Sequence, residues 1–129
     1  MTADGPPSAA ARRLFVYGTL KRGGTNHREL AGQHFLGMAR SAPGYRLYHL
    51  GEYPGLVPDP ADQHGVVGEV WQVSPAALAA LDAFEGVPEA LYRRATIPLL
   101  PPFAGEPVDT YFYRRTIDGC ADLHGWWPV

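Results

Sequence analysis

The sequence has few of the features that define several common protein classes. Cys120 is the single cysteine in 129 residues, so an intramolecular disulfide is excluded and a reducing, cytoplasmic compartment is expected. No run of about 18 apolar residues is present, and no segment is therefore expected to cross a membrane. The formal net charge is only −2, so the strongly basic surface typical of nucleic-acid-binding proteins is absent as well.

Residues that form turns are abundant instead. The chain has 15 glycines and 13 prolines, which predicts many turns and short elements rather than a helical bundle. Its length provides one hydrophobic core, so residues 13–129 are predicted to form a single domain. Residues 1–12 lack the apolar segment of a signal peptide and are predicted to be a disordered tail. Trp126 and Trp127 are expected to fold back onto the domain or to lie at a subunit contact.

The pattern of apolar residues predicts short strands and one substantial helix. Ser74 is a good N-cap, Pro75 suits the first helical position, and Gly86 can adopt the left-handed conformation after the helix ends. Asn26 is expected to cap a short helix that ends at Leu30. Strands are predicted at residues 14–17, 35–38, 45–50, 55–57, 66–73, 92–99 and 108–114. This order, without a regular βαβ repeat, favours an α+β domain in which a sheet curls around one main helix.

One carboxylate breaks the apolar pattern of that helix. On a helical wheel Glu85 falls in the apolar arc that contains Leu78, Leu81 and Phe84. It also lies in the last turn, where the helix dipole disfavours negative charge. Burial and the dipole both raise the pKa of such a carboxyl, which makes Glu85 a candidate acid/base. The alternatives are that Glu85 turns into solvent or pairs with an arginine such as Arg93 or Arg94.

A second candidate site is the loop after the first predicted strand. Gly18 allows another group to approach the backbone closely. Successive N–H groups in such a turn can form a concave site for an anion, and a carboxylate suits it. The loop has neither the spacing of a P-loop nor that of a dinucleotide-binding fingerprint.

Other catalytic constellations are not favoured. Neither H-x-H nor H-x-x-x-H occurs, so no metal site is predicted. Cys120 and His124 lie four residues apart without an orienting partner, and Glu85 and Glu89 lie too close in sequence to flank a glycosidic bond. The five histidines are His27, His34, His49, His64 and His124.

Two sequence motifs, in the order in which they occur along the chain, resemble motifs of a known family. Residues 17–23 (YGTLKRG), followed by Asn26 and His27, resemble the opening of the γ-glutamylcyclotransferase-like (AIG2-like) family. Residues 81–88 (LDAFEGVP), followed by Leu91, Tyr92 and Arg94, resemble its second motif. The similarity spans roughly residues 13–114 and is closest to the γ-glutamylamine cyclotransferase branch. It implies an α+β fold with a mixed sheet curled into a small barrel and packed with one main helix.

The resemblance also implies roles for particular residues. It makes Glu85 the catalytic acid/base and assigns a late-strand tyrosine to the pocket. Because residues two apart share a strand face, Tyr111 and Tyr113 both qualify, and Tyr113 is preferred. No metal or organic cofactor is implied. The implied substrate-binding loop comprises Tyr17, Gly18, Thr19 and Leu20.

The reaction implied is an intramolecular aminolysis of a small γ-glutamyl amine or peptide, which releases 5-oxoproline and the free amine. Two alternatives stay open: a non-enzymatic binding domain of the AIG2-like type, and a cyclotransferase that removes a γ-glutamyl group in one biosynthetic pathway. Neither a nucleic acid nor a membrane is expected as a partner, and the protein is expected to be a monomer or weak homodimer. Residues 51–65 match no motif and are candidates for a pocket border that selects the leaving group.

Overall fold

Residues 11–129, which the computed structural model describes, contain eight strands, one α-helix and one 3-10 turn. The strands before the helix are β1 (Arg12–Val16), β2 (His34–Arg40), β3 (Tyr45–His49), β4 (Pro54–Pro58) and β5 (Val67–Val73). The helix α1 (Pro75–Phe84) is followed by β6 (Tyr92–Thr96), β7 (Val108–Tyr113) and β8 (Ala121–His124). The 3-10 turn is His27–Leu30. None of the helices in this part of the chain is long and apolar enough to span a membrane.

The strands form two sheets. The larger sheet has the order β2-β5-β1-β7-β6, in which β1 and β7 are parallel and all other neighbours are antiparallel. The smaller sheet has the order β4-β3-β8 and is antiparallel throughout. This confirms the predicted α+β class with a mixed sheet and one main helix.

One detail of the expected fold differs: the mixed sheet does not close into the small barrel that the resemblance implied. The outer strands β2 and β6 of the larger sheet share no ladder, and only one isolated bridge, between Ser41 and Leu99, joins the segments that follow them. Ile97 and Pro98 follow β6, and Pro98 has no N–H to donate to a ladder at that position.

Side-chain alternation along β1 divides the core into two layers. Phe15 faces the layer that includes Leu47 and Leu56 of the smaller sheet. Leu14 and Val16 face the opposite layer, where Leu78 and Leu81 of α1 are buried. The larger sheet therefore lies between the smaller sheet and the helix.

The ends of α1 follow the predicted chemistry. The Ala77 N–H donates to the Ser74 side chain at 3.1 Å, and Pro75 occupies the first turn. Glu85 is the C-cap, and Gly86 follows with φ +72°. The helix therefore delivers Glu85 to a defined position at its end.

Several boundaries differ from those predicted. Residues 1–10 of the predicted tail lie outside the described residues, whereas Arg12 pairs with Val73 as part of β1. β8 was not predicted, because its residues ADLH carry little strand signal. Trp127 folds back onto the core, as expected, but Trp126 is 45% exposed.

Candidate active site

A cavity opens where the loop after β1 meets the end of α1. It encloses about 340 Å³ of empty space, counted with the solvent at its mouth. Its lining combines the predicted loop, the predicted carboxylate and side chains from three further segments. The lining residues are Phe15, Val16, Tyr17, Gly18, Thr19, Leu20, Tyr53, Pro54, Glu85, Tyr92 and Tyr111.

Glu85 reaches this cavity from the C-cap of α1. Its backbone N–H donates to the Leu81 carbonyl at 2.8 Å, which holds the residue in the last turn. Burial of the carboxyl group raises the pKa of Glu85 to about 7. Both the ionised and the neutral form are therefore populated near neutral pH, as proton transfer in two directions requires.

Neither arginine considered as a partner neutralises Glu85. The Arg94 guanidinium donates to both Asp82 oxygens, at 2.9 and 3.2 Å, and to Asp109 at 2.6 Å. The Arg93 guanidinium lies over the ring of Phe112, 4.8 Å from its centre. Glu85 is therefore a half-buried residue that neither of these arginines pairs with, and burial of its carboxyl raises the pKa.

The loop from Gly18 to Gly24 approaches β4 closely. A Cβ at Gly18 would lie 2.7 Å from Cγ of Pro54, so only glycine fits beside that ring. The Lys21 N–H donates to the Gly18 carbonyl at 3.1 Å, and the Asn26 N–H donates to the Thr19 carbonyl at 3.0 Å. The N–H groups of Gly18, Thr19 and Leu20 have no backbone acceptor within residues 11–129, and they are suitable donors to a carboxylate.

Side chains anchor this loop from three directions. The Asn26 amide donates to the Thr19 hydroxyl at 3.0 Å, and the Arg22 guanidinium donates to Glu69 at 3.1 Å. The Lys21 ammonium, in a residue only 1% exposed, donates to the Trp127 carbonyl at 2.5 Å. Burial lowers the pKa of Lys21 to about 8. The loop is thus preorganised without a ligand.

Of the two β7 tyrosines, Tyr111 lines the cavity and Tyr113 does not, whereas the sequence analysis preferred Tyr113. Both rings lie on the helix side of β7, as the alternation predicts. Tyr113, however, packs edge-on against Tyr92, with ring centres 5.4 Å apart, and against Gly55 of β4. These contacts fill the space around Tyr113 and leave the lining position to Tyr111.

Hydrogen bonds from three tyrosines join the walls of the cavity. The Tyr17 hydroxyl donates to the Tyr111 carbonyl at 2.6 Å, and the Tyr92 hydroxyl donates to the Pro54 carbonyl at 2.8 Å. The Tyr111 hydroxyl donates to Asp82 at 2.7 Å. Burial raises the pKa of each of these hydroxyls, which therefore act as donors at neutral pH.

Part of this arrangement does not follow from the sequence. Asp82 and Arg94 lie within the second motif, yet only pairing across β6 and β7 brings Asp109 to them. Tyr53 and Pro54 come from the unmatched segment 51–65, which borders the cavity as anticipated.

The alternative constellations do not assemble. Residues 11–129 contain no group of three or more His, Cys, Asp or Glu side chains suited to a metal ion. Cys120, His124 and Glu89 do not line the cavity. His27 lies beside the loop, with Nδ1 at 2.9 Å from the Leu20 carbonyl oxygen.

Comparison with known proteins agrees with both motifs and with the fold. The model of the family described as gamma-glutamyl cyclotransferase, AIG2-like, matches residues 14–128. The chain belongs to this family. The match includes the loop after β1, Glu85 and the second motif.

Individual members of the family span most of the chain. A protein of Vibrio cholerae serotype O1, provisionally named a gamma-glutamylcyclotransferase, is 44% identical over 103 residues, which make up 80% of this chain and 83% of that protein. The gamma-glutamylaminecyclotransferase of Bos taurus is 37% identical over 107 residues, 78% of this chain but only 63% of its own length. The crystal structure of an AIG2-like protein from Mus musculus superposes with a TM-score of 0.78 at 26% identity, covering 90% of this chain and 88% of the mouse chain.

Proposed function

We propose that the protein is a γ-glutamyl cyclotransferase that converts a γ-glutamyl amine or γ-glutamyl peptide into 5-oxoproline and the free amine. The observation that carries this proposal is the position of Glu85. Its carboxyl, with a pKa of about 7, shares one cavity with the loop of residues 17–20. Membership of the gamma-glutamyl cyclotransferase, AIG2-like family supports the reaction class.

The nucleophile belongs to the substrate, so the protein mainly has to move protons. Glu85 accepts a proton from the α-ammonium, and the freed amine attacks the side-chain carbonyl carbon. A bond forms between the α-nitrogen and that carbon, and the ring nitrogen then gives its second surplus proton to water. As the original C–N bond breaks, Glu85 returns a proton to the leaving nitrogen, and the released amine takes another from water. Such acid/base assistance accelerates a reaction by roughly 10²–10⁴-fold.

Orientation of the flexible γ-glutamyl chain is the second contribution. We assign the α-carboxylate to the N–H groups of Gly18, Thr19 and Leu20, which have no backbone acceptor among the described residues. Anchoring that carboxylate beside Glu85 would hold the α-amine near the carbonyl that it attacks. Orientation of reacting groups can lower a barrier by up to about 7–11 kcal/mol in favourable cases.

The test is release of 5-oxoproline from a panel of γ-glutamyl amines and γ-glutamyl dipeptides. Turnover is expected for the native protein and a loss of at least about 100-fold for Glu85→Gln, which keeps the side-chain shape but cannot transfer the proton. Glu89→Gln is the matched control, because Glu89 is an exposed carboxylate four residues away that does not line the cavity.

Two results would contradict the proposal. One is the absence of 5-oxoproline across the whole panel, with a γ-glutamyl ligand bound but uncleaved, which would favour the non-enzymatic binding domain. The other is full activity of a folded Glu85→Gln variant, which would remove Glu85 from the chemistry.

A further inference from the structure

Lys21 is the only lysine of the chain, and it lies in the loop after β1, directly behind Leu20. Its N–H donates to the Gly18 carbonyl at 3.1 Å, which closes a turn over residues that line the cavity. The residue is almost completely buried, although a loop lysine normally extends its ammonium into water. Since burial of a charged group costs free energy, the position of Lys21 calls for an interaction that offsets this cost.

The groups that contact the Lys21 ammonium are neutral. The Trp127 carbonyl accepts its hydrogen bond at 2.5 Å, and the centre of the Trp126 ring lies 3.5 Å from Nζ. No carboxylate in the described part of the chain forms a salt bridge with it. Glu69 of β5 is the acidic group that faces Lys21, but its carboxylate already binds the Arg22 guanidinium at 3.1 Å. Two cations therefore share one carboxylate, which leaves one positive charge in excess beside the loop.

The cavity has the opposite deficit. None of the described residues that line it is a lysine, an arginine or a histidine, and Glu85 provides its one carboxyl group. A substrate α-carboxylate held by the N–H groups of Gly18, Thr19 and Leu20 would therefore touch no cationic side chain. Backbone N–H groups carry only partial positive charge, so a full positive charge near them would strengthen the binding of the anion.

The excess cation and the missing counter-charge belong to the same loop. Lys21 follows Leu20 directly, so even a fully extended side chain keeps the ammonium within about 11 Å of the Leu20 N–H. At an effective dielectric constant of about 20, a pair of unit charges at that distance changes an affinity about tenfold. We infer that Lys21 is a positioning residue that supplies the counter-charge for the substrate α-carboxylate through the loop, without touching the substrate. This inference rests on the proposed function, which places that carboxylate at the loop.

The titration of this single lysine tests the inference in the native protein. Labelling with carbon-13 at the lysine Cε gives one NMR resonance, which reports the Lys21 ammonium directly. In the free protein, burial lowers the pKa of Lys21 to about 8. The matched ligands are 5-oxoproline and 2-pyrrolidinone, which share a ring and differ by the carboxylate. We expect 5-oxoproline to raise the pKa of Lys21, with proton binding about tenfold tighter, and 2-pyrrolidinone to leave it unchanged.

The results that would overturn the inference are distinct from those that would overturn the proposed function. Bound 5-oxoproline that leaves the pKa of Lys21 unchanged would remove the counter-charge role and leave the cyclotransferase proposal intact. An equal rise with 2-pyrrolidinone would do the same, because it would show an effect that does not depend on the carboxylate. Failure of 5-oxoproline to bind, together with no turnover of any γ-glutamyl compound in the panel, would overturn both.

Steady-state kinetics of charge variants provide a second test. Lys21→Met removes the charge and keeps an unbranched side chain, whereas Lys21→Arg keeps the charge. We expect Lys21→Met to raise KM about tenfold with kcat within about threefold of the native value, and Lys21→Arg to restore most of the affinity. Arg28→Met is the matched control and should leave KM unchanged, because Arg28 is an exposed cation of the 3-10 turn that does not line the cavity.

The division between KM and kcat separates a counter-charge from a purely structural role. A native KM in a folded Lys21→Met variant would overturn the inference. So would a lower kcat with an unchanged KM, which is the result expected if the substitution only reduced the fraction of folded protein. Where Lys21→Met does not fold, the NMR titration decides the question, because it uses the native protein.

Discussion

Glu85 combines an ordinary residue type with an unusual environment. A glutamate at a helix C-terminus is normally solvated or paired with a cation, yet here the carboxyl is largely buried and both nearby arginines bind elsewhere. The cost of burying the charged form is what moves the pKa of Glu85 to the range in which the proposed reaction needs it. The raised pKa of Glu85 therefore depends on the absence of a counter-charge beside its carboxyl.

This environment predicts the pH dependence of the reaction. The ionised form of Glu85 has to accept the ammonium proton, so kcat/KM should fall about tenfold per pH unit as the pH drops below about 7. The measurement is kcat/KM for 5-oxoproline formation between pH 5 and 8. An acid limb centred near 4.5, the ordinary value for a glutamate, would contradict the raised pKa on which the proposed role of Glu85 depends.

The helix α1 shows how one element connects stability with the site. Its N-terminus is capped by Ser74, at the opposite end of the helix from Glu85. Near its C-terminus, Asp82 accepts hydrogen bonds from Arg94 of β6 and Tyr111 of β7. These bonds fix the last turn of the helix, and with it Glu85, against the larger sheet.

Variants at the two ends of α1 should therefore differ in their effects. Arg94→Ala leaves Asp82 and the buried Asp109 with fewer partners, and we expect it to lower the free energy of unfolding by about 1–3 kcal/mol and to reduce kcat/KM. Ser74→Ala should lower the free energy of unfolding by about 1 kcal/mol without affecting kcat/KM. Urea unfolding and the 5-oxoproline assay provide the two measurements. If Arg94→Ala and Ser74→Ala changed kcat/KM equally, this would argue against a special role for the last turn of α1 in positioning Glu85.

At the scale of the whole molecule, the C-terminus links the two sheets with the loop after β1. β8 pairs with β3 in the smaller sheet, and the chain then continues to Trp127. The Trp127 side chain packs against the core, and its carbonyl accepts a hydrogen bond from the buried Lys21 ammonium. The end of the chain thus supports a loop more than 100 residues earlier in the sequence.

Adjacent tryptophans provide a matched test of this link. Trp127→Ala should lower the free energy of unfolding by about 3 kcal/mol, because it removes a large side chain that packs against the core. Trp126→Ala should cost less than about 1 kcal/mol, since the ring is exposed and contributes mainly its contact with Lys21, 3.5 Å from the ring centre. Thermal or urea unfolding compares the two. A larger loss for Trp126→Ala would contradict the structure of the C-terminus.

The sequence alone was sufficient for the features that depend on local pattern. Ser74, Pro75 and Gly86 determined where α1 begins and ends, and the wheel placed Glu85 on its apolar arc. The two motifs identified the loop and the family, because both are continuous in sequence. Local patterns could not reveal that Lys21 is buried, that Tyr111 rather than Tyr113 lines the cavity, or that Asp109 joins Asp82 and Arg94.

Those features were decided by tertiary structure because they depend on contacts between distant parts of the chain. The pairing of β6 with β7 brings Arg94 to Asp109, and the outer strands β2 and β6 of the larger sheet do not pair with each other. A side chain's burial and a carboxyl's partners are set by whichever segments pack around them, and sequence neighbours carry little information about those segments. The sequence by itself thus determined the elements and the reactive residue, whereas packing determined the shape of the cavity around it.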